Sequence, residues 1–401
     1  MKSLLVIVAV ALCLRLGYAW DYQAHRPHQA LGVIPFLFEP GNIAASIATG
    51  KGFSSPFRVE TGPTAWLTPV YPLLLAGIFR LFGLYTFASY ITAAGLNTLF
   101  STLTCVPIYS VGRRVGGATV AAIAASLWAV FPNAIKLPVE SMWDTSLAAL
   151  LAASILWATI QLADSHSFTG WGAYGLLWGF ALMTNPTLIS LLPFLLGWLL
   201  YRSRRYRQAA LTLVMTVLCC APWTARNYAV FHRLIPLRSV FGLTLWLGNH
   251  AQSTGEWPGR LHPLANADER AKYIALGEVA YMQEKEQQAV QFMREHPVDE
   301  LRACWFRFVV VWTGGSAHPL DDFGAVLLFN VLASLGALAG VVLLFRARSP
   351  FAFPLAAFPV AFPFAYYLTL ASARYRHPMD PVLLLLTAIT IGALRRHYKP
   401  I

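Results

Sequence analysis

The chain has 401 residues, of which 57% are hydrophobic and only 12% charged, a balance that excludes a soluble globular domain. Its net charge of +12 comes from 30 Lys and Arg against 18 Asp and Glu. No nucleic-acid-binding motif uses that charge, so nucleic acid is excluded as a partner, and membrane lipids are expected to neutralise part of it.

A bilayer core takes about 20 apolar residues per helix, and runs meeting that need recur along the chain. They predict an all-α polytopic membrane protein with spans at 3–20, 87–112, 118–132, 144–163, 170–185, 187–201, 208–223, 323–345, 351–370 and 378–394, about ten helices. Pro186 divides two of these so tightly that a hairpin of two helices and one kinked pair are both open. The first segment resembles a secretory signal, with Lys2 and an apolar stretch, but Arg15 interrupts it. It is expected to remain as a span whose Arg15 snorkels to the outer interface.

Positive charge in alternate short connections sets the orientation. Lys2, then Arg113 and Arg114, then Arg202, Arg204, Arg205 and Arg207, then Arg346 and Arg348, then Arg395, Arg396 and Lys399 place both termini in the cytoplasm of a multi-pass plasma (inner) membrane protein. The chain then divides into a transmembrane module, 1–223, an extracytoplasmic segment, 224–322, and C-terminal helices, 323–401. The first outer loop, 21–86, belongs to the module. It is predicted to carry juxtamembrane helices at Glu39–Gly50 and Tyr71–Phe82, joined by an ordered loop from Gly52 to Pro69. The second outer segment is expected to be helical from Ala267 to Glu295, with Tyr281 to Gln288 solvated, followed by an amphipathic helix from Val298 to Trp312. Chemistry is therefore expected on the extracytoplasmic side.

Five cysteines make an odd count, and four lie within apolar spans, so no disulfide framework follows. No CxxC or HExxH spacing predicts zinc. His25, His28 and His250 read as loop histidines, and the metal ligands, if any, are unknown.

Three features carry candidate chemistry. Glu39 opens the first surface helix, where the structural alternative is an acid held by the helix dipole. Glu140 and Asp144 are four residues apart and would share one face of a helix begun by Pro138. Asp144 leads into an apolar run, and an acid at membrane depth is costly unless functional. Third, Arg374, Tyr375 and Arg376 sit at the outer mouth of the last span, where topology asks for no positive charge. Two guanidiniums beside a hydroxyl suit a phosphate, the alternative being salt bridges to Asp321, Asp322 or Asp380. Arg226 is a weaker member of that group, and Glu140, Lys51 and Glu60 complete the candidates.

In order along the chain, Glu39-Pro-Gly-Asn-Ile, Gly62-Pro-Thr-Ala-Trp-Leu-Thr-Pro, Trp143-Asp144-Thr-Ser-Leu, Pro222-Trp-Thr-Ala-Arg226-Asn-Tyr and Arg374-Tyr375-Arg376-His-Pro378 resemble motifs of the GT-C superfamily of polytopic glycosyltransferases. The likeness is to the bacterial branch of protein O-mannosyltransferases and aminoarabinose transferases (glycosyltransferase family 39-like). Many relatives carry an Asp-Glu pair in the first loop, whereas here Phe38 precedes Glu39. The resemblance implies a polyprenyl-phosphate sugar donor, Glu39 and Asp144 as catalytic acids, and Arg374, Tyr375, Arg376 and Arg226 on the donor phosphate. The acceptor is an unidentified envelope protein, lipid or glycan. No cofactor is certain; a divalent metal ion held with the help of Asp144 is compatible with it. A transporter or flippase for lipid-linked sugars is the rival reading, but no internal repeat relates the two halves. A non-catalytic scaffold would leave the acids unexplained.

Overall fold

The computed structural model describes residues 2–251, 253, 259–315 and 323–397. Asp321, Asp322 and Lys399 lie outside them.

The chain starts with α1 (Lys2–Ala24), the short α2 (His28–Val33), α3 (Glu39–Ala48) and α4 (Val70–Phe82). Then α5 (Phe87–Leu103) and α6 (Cys105–Val130) form one apolar run. That run turns back on itself at Gly117, where φ is +85°, a conformation that favours glycine. The arms pack so closely that a β-carbon on Gly112 would lie 2.8 Å from Ala121 Cα. Next come α7 (Pro132–Glu140), α8 (Thr145–Leu162), α9 (Phe168–Thr184), α10 (Leu192–Ser203) and α11 (Tyr206–Phe231). The middle of the chain forms α12 (Phe241–Gly248), α13 (Ala267–Leu276), α14 (Glu278–Glu295) and α15 (Pro297–Thr313). It ends with α16 (Phe323–Arg346), α17 (Ala352–Ala361), α18 (Phe364–Leu368), α19 (Ala373–Arg376) and α20 (Asp380–His397).

Among the described residues, six segments are long and apolar enough to cross a bilayer: Lys2–Ala24, Phe87–Val130, Thr145–Leu162, Tyr206–Phe231, Val326–Arg346 and Arg374–Arg395. The protein is a multi-pass membrane protein. The expected span 170–185 forms as α9, of 17 residues, while 187–201 and 351–370 are not single helices. Pro186 starts a 3-10 turn, Pro186–Leu191, between α9 and α10, and the last of the three is interrupted after Ala361. By contrast Pro222 does not end its helix, which continues to Phe231, so Arg226 lies on α11 rather than beyond it.

Two Gly-x-x-x-Gly faces set the packing, as expected where small residues let membrane helices approach. Gly336 and Gly340 bring α16 against α20, and a β-carbon on Gly340 would sit 2.3 Å from Leu386 O. Gly175 and Gly179 do the same for α9 on α11, where Thr216 Oγ1 donates to Gly175 O at 3.1 Å.

Arg15 departs from its expected place. It is fully buried rather than snorkelling, and donates to Ser101 Oγ at 2.9 Å and to the carbonyls of Ala129 and Trp128 at 3.1 and 3.2 Å. Nor is Tyr281–Gln288 fully solvated: Tyr281, Met282 and Lys285 are buried where α14 packs on α12, while Gln283 and Gln287 stay exposed. The helix expected from Ala267 to Glu295 breaks at Gly277, with φ +77°.

Candidate active site at one end of the bundle

Glu39 occupies the first turn of α3, just after an elbow at which the preceding helical segment turns by 98°. Pro40, the second residue of α3, fits there because its missing N–H is unneeded in a first turn. The carboxylate is only 3% exposed, which corrects the expectation of a solvent-facing acid. Its Oε1 lies 3.2 Å from His262 Nε2. Burial lowers His262 to about 3, so the ring is neutral at physiological pH. Its Nδ1 accepts from the Leu264 N–H at 3.1 Å, which leaves the ring proton on Nε2, the nitrogen nearest Glu39. Burial raises Glu39 to about 7, opposed by its own backbone N–H and by Arg374. A buried carboxyl titrating near neutrality, beside a neutral imidazole, is suited to take up a proton.

The loop before α8 meets this elbow. Met142 N–H donates to Pro35 O at 3.4 Å, and the rings of Phe38 and Trp143 are 6.0 Å apart. Asp144 follows as the N-cap residue of α8. A directed series of donors ends on it: Tyr366 Oη donates to Thr187 Oγ1 at 3.0 Å, Thr187 to Asn185 Oδ1, and Asn185 Nδ2 to Asp144 Oδ2 at 2.9 Å. Burial raises the Asp144 carboxyl, while Arg374, Arg238 and the Asn185 bond oppose the rise. Arg374 itself lies flat over Trp143, its guanidinium carbon 3.9 Å from the ring centre. Thus one cation acts on both acids. Neither Arg374 nor Arg238 has a hydrogen-bonded partner for its guanidinium among the described residues. Tyr375, half-buried, stacks on Tyr366 with centroids 5.2 Å apart.

Other candidates are committed elsewhere. Arg376 is fully buried and its donors are spent on Asp380 Oδ1 at 2.6 Å, Trp312 O at 2.7 Å, Ser334 Oγ at 2.9 Å and Asn330 O at 3.3 Å. It locks α20 to α15 and α16 and, with no exposed surface, is closed to a phosphate. Arg226 donates to Thr64 O at 2.7 Å and Phe53 O at 2.8 Å, tying the loop before α4 to α11. Glu140 and Asp144 share no helix face, because α7 ends at Glu140 and Ser141 is extended; Pro138 lies inside α7 rather than starting a helix. Glu140 accepts from Tyr18 Oη on α1. Lys51 and Glu60 pair with each other on the surface.

His262 and Arg238 were missed by sequence reasoning. No spacing announces His262, whose partner is far away in the chain. Arg238, however, lies in a segment expected outside the membrane, so the argument that singled out Arg374 applies to it as well. Among the described residues no three His, Cys, Asp or Glu side chains converge to hold a metal ion.

Residues 66–225 match the family described as dolichyl-phosphate-mannose-protein mannosyltransferase. No curated protein matches the chain. Among solved structures, the oligosaccharyltransferase of Archaeoglobus fulgidus in its apo form aligns with 99% of this chain and 50% of its own, at TM-score 0.59 and 14% identity. The same archaeal enzyme, AglB, in complex with an inhibitory peptide and a dolichol-phosphate aligns at TM-score 0.55 and 13% identity, over 98% and 50% of the two chains. ArnT from Cupriavidus metallidurans bound to undecaprenyl phosphate gives TM-score 0.42 at 14% identity, over 97% and 77%. This chain spans about half the length of the oligosaccharyltransferase it matches. It is a polytopic membrane protein that shares the fold of the archaeal oligosaccharyltransferase and carries, over residues 66–225, a likeness to the mannosyltransferase family.

Proposed function

We propose that this protein transfers a hexose or pentose from a polyprenyl-phosphate-linked donor to an envelope acceptor, on the extracytoplasmic side of the plasma membrane. The observation that carries the reading is the convergence of Glu39 and Asp144 on Arg374. A protein of the same fold holds a peptide together with a dolichol-phosphate, which supports a lipid-linked donor.

In this mechanism Glu39 takes the proton of the acceptor hydroxyl or amine as its oxygen or nitrogen bonds to the anomeric carbon. The bond from that carbon to the phosphate oxygen breaks, and its electron pair leaves with the polyprenyl phosphate. Arg374 and Arg238 stabilise the developing charge, with Tyr375 beside them. Asp144, fixed by Asn185, orients the acceptor. The test is mass spectrometry of envelope glycans and glycoproteins from cells with and without the protein: one glycosylated species should disappear, and identical profiles would remove the reading.

Donor binding separates the two C-terminal arginines. Arg374→Ala weakens binding of polyprenyl phosphate by about 1–3 kcal/mol, the worth of a charged hydrogen bond, and Lys restores only part of it. Arg376→Ala lowers thermal stability instead, since it strips a buried network. Unchanged affinity in the folded Arg374→Ala protein would remove that residue from the phosphate site.

Sidedness is tested with a membrane-impermeant maleimide on intact cells. Cysteine at the exposed Gln287 is labelled and cysteine at the exposed Arg204 is not. Glu278 is unsuited to the probe because it is buried. Labelling with the opposite pattern places the site in the cytoplasm.

A further inference from the structure

The contacts around Asp144 close into a ring. Its neighbour Trp143 lies under the Arg374 guanidinium at 3.9 Å. Arg374 adjoins Tyr375, which stacks on Tyr366 at 5.2 Å with the two rings 5° from parallel. From Tyr366 the donor series runs back through Thr187 and Asn185 to Asp144. Separate segments of the chain meet in this ring: the start of α8, the 3-10 turn Pro186–Leu191 with its N-cap Asn185, α18 and α19. The front arm, Arg374 and Tyr375, faces the donor in the mechanism above, whereas Tyr366 and Thr187 in the back arm have no part in it.

The back arm has a fixed sense. Thr187 gives both its N–H, at 3.2 Å, and its hydroxyl proton to Asn185 Oδ1. Two donors on that oxygen hold the amide against a flip, so Nδ2 is the atom turned to Asp144 Oδ2, at 2.9 Å. With its proton spent, Thr187 Oγ1 can only accept, and Tyr366 Oη supplies the proton at 3.0 Å. Tyr366 is 7% exposed, and its hydroxyl has no other hydrogen-bond partner among the described residues. Packing alone would be served by phenylalanine at this position; the hydroxyl is needed only to hold Thr187.

We propose that Tyr366 is a positioning residue: through Thr187 and Asn185 it couples a carrier phosphate on Arg374 and Tyr375 to the orientation of Asp144, so that carrier occupancy prepares the acceptor side. An anion seated on Arg374 alters how Tyr375 rests on Tyr366, and the back arm carries that change to the Asn185 amide. The acceptor's part rests on the sugar-transfer reading; the coupling of Tyr375 to Asn185 does not. Its size is bounded by its weakest link, one neutral hydrogen bond, which corresponds to a change of about two- to tenfold. By linkage, acceptor binding tightens the carrier by the same factor.

The experiment uses the full chain in nanodiscs, with polyprenyl phosphate as the probe and amide hydrogen exchange read by mass spectrometry. In the parent the probe should slow exchange at 373–376 and also at 187–191, the latter by about two- to tenfold. Tyr366→Phe keeps the ring that stacks on Tyr375 and removes only the hydroxyl, so probe affinity and the protection at 373–376 should stay while protection at 187–191 is lost. Thr187→Val breaks the same link from the other side and should give the same pattern. Thr187→Ser, which keeps the hydroxyl, should behave as the parent, and the Phe and Val changes together should add nothing to either alone. During sugar transfer, Tyr366→Phe should raise acceptor KM by the same factor and leave donor KM unchanged. Protection at 187–191 that survives both variants, a parent that binds the probe with no change at 187–191, or acceptor and donor KM that move together would each overturn the coupling. A parent that does not bind the probe removes the carrier site and the coupling with it. A parent that binds and couples but transfers no sugar supports the coupling and removes only the enzymatic reading.

Discussion

Glu39→Gln lowers turnover by about 10²–10⁴-fold, the usual worth of a general base, while the protein stays folded and binds donor. Glutamine has the same shape and can sit beside His262 as Glu39 does, so the elbow keeps its geometry. What it cannot do is take the acceptor's proton. The same residue sets the pH profile. With Glu39 near 7 in the folded protein, the carboxyl is protonated and idle below that pH, so kcat/KM rises as pH passes about 7 and then levels off. The residual activity of Glu39→Gln should not show that rise. The linked stability runs the other way. A carboxyl raised above its unfolded value near 4.5 favours the folded state most at pH below 4.5, and that contribution is lost as pH climbs through 7. Asp144→Asn should cost less turnover, because its place at the end of the Asn185 series is one of positioning. Transfer at the parent rate by folded Glu39→Gln protein would refute the base assignment.

Glu278→Ala destabilises the protein by about 1–3 kcal/mol for each buried donor it leaves unpaired. Glu278 is buried at the start of α14, where it accepts from Thr64 Oγ1, from Ala65 N–H at 2.7 Å, from Ser239 Oγ at 2.7 Å and from Tyr273 Oη at 2.7 Å. Truncation leaves these buried donors unpaired at once. Thr64 and Ala65 lie in the loop that Arg226 also grips, so hydrogen exchange over residues 53–66 should accelerate more than elsewhere. Glu278→Gln should be milder, since the amide oxygen can still accept. Exchange at 53–66 unchanged in the Ala variant would show that the loop does not depend on this carboxylate.

The membrane class and the helical architecture were legible because they follow from composition and run length. The turn at 113–117 was legible for the same reason, since Arg113, Arg114 and two glycines interrupt an apolar stretch. Charge out of place pointed to Arg374, but the same argument misassigned Arg376. Residues two apart on a helical turn face different ways, and only the fold shows that one meets Trp143 and the other Asp380. Glu140 and Asp144 were misjudged because nothing in Glu-Ser-Met-Trp-Asp signals that Ser141 leaves the helix. His262 and Glu278 were invisible for a deeper reason. Their roles come from contacts across long chain separations, and a polar residue in a long connection looks solvated until its partner is known.

Arg15 bears on how the protein is made. Of the two carbonyls it meets in the last turn of α6, that of Trp128 also accepts from the Phe131 N–H at 3.3 Å, whereas that of Ala129 lies where the helix has no N–H of its own to offer. One helix thus caps another that is synthesised far later. Until that later helix emerges, α1 carries an unshielded cation into the bilayer at a cost of about 2.5–3.5 kcal/mol. Docking against the end of α6 removes that cost, so the final placement of α1 is coupled to formation of the hairpin at Gly117. Loss of α1 would take the Arg15 donor from Ala129 O, while Trp128 O would keep the Phe131 N–H.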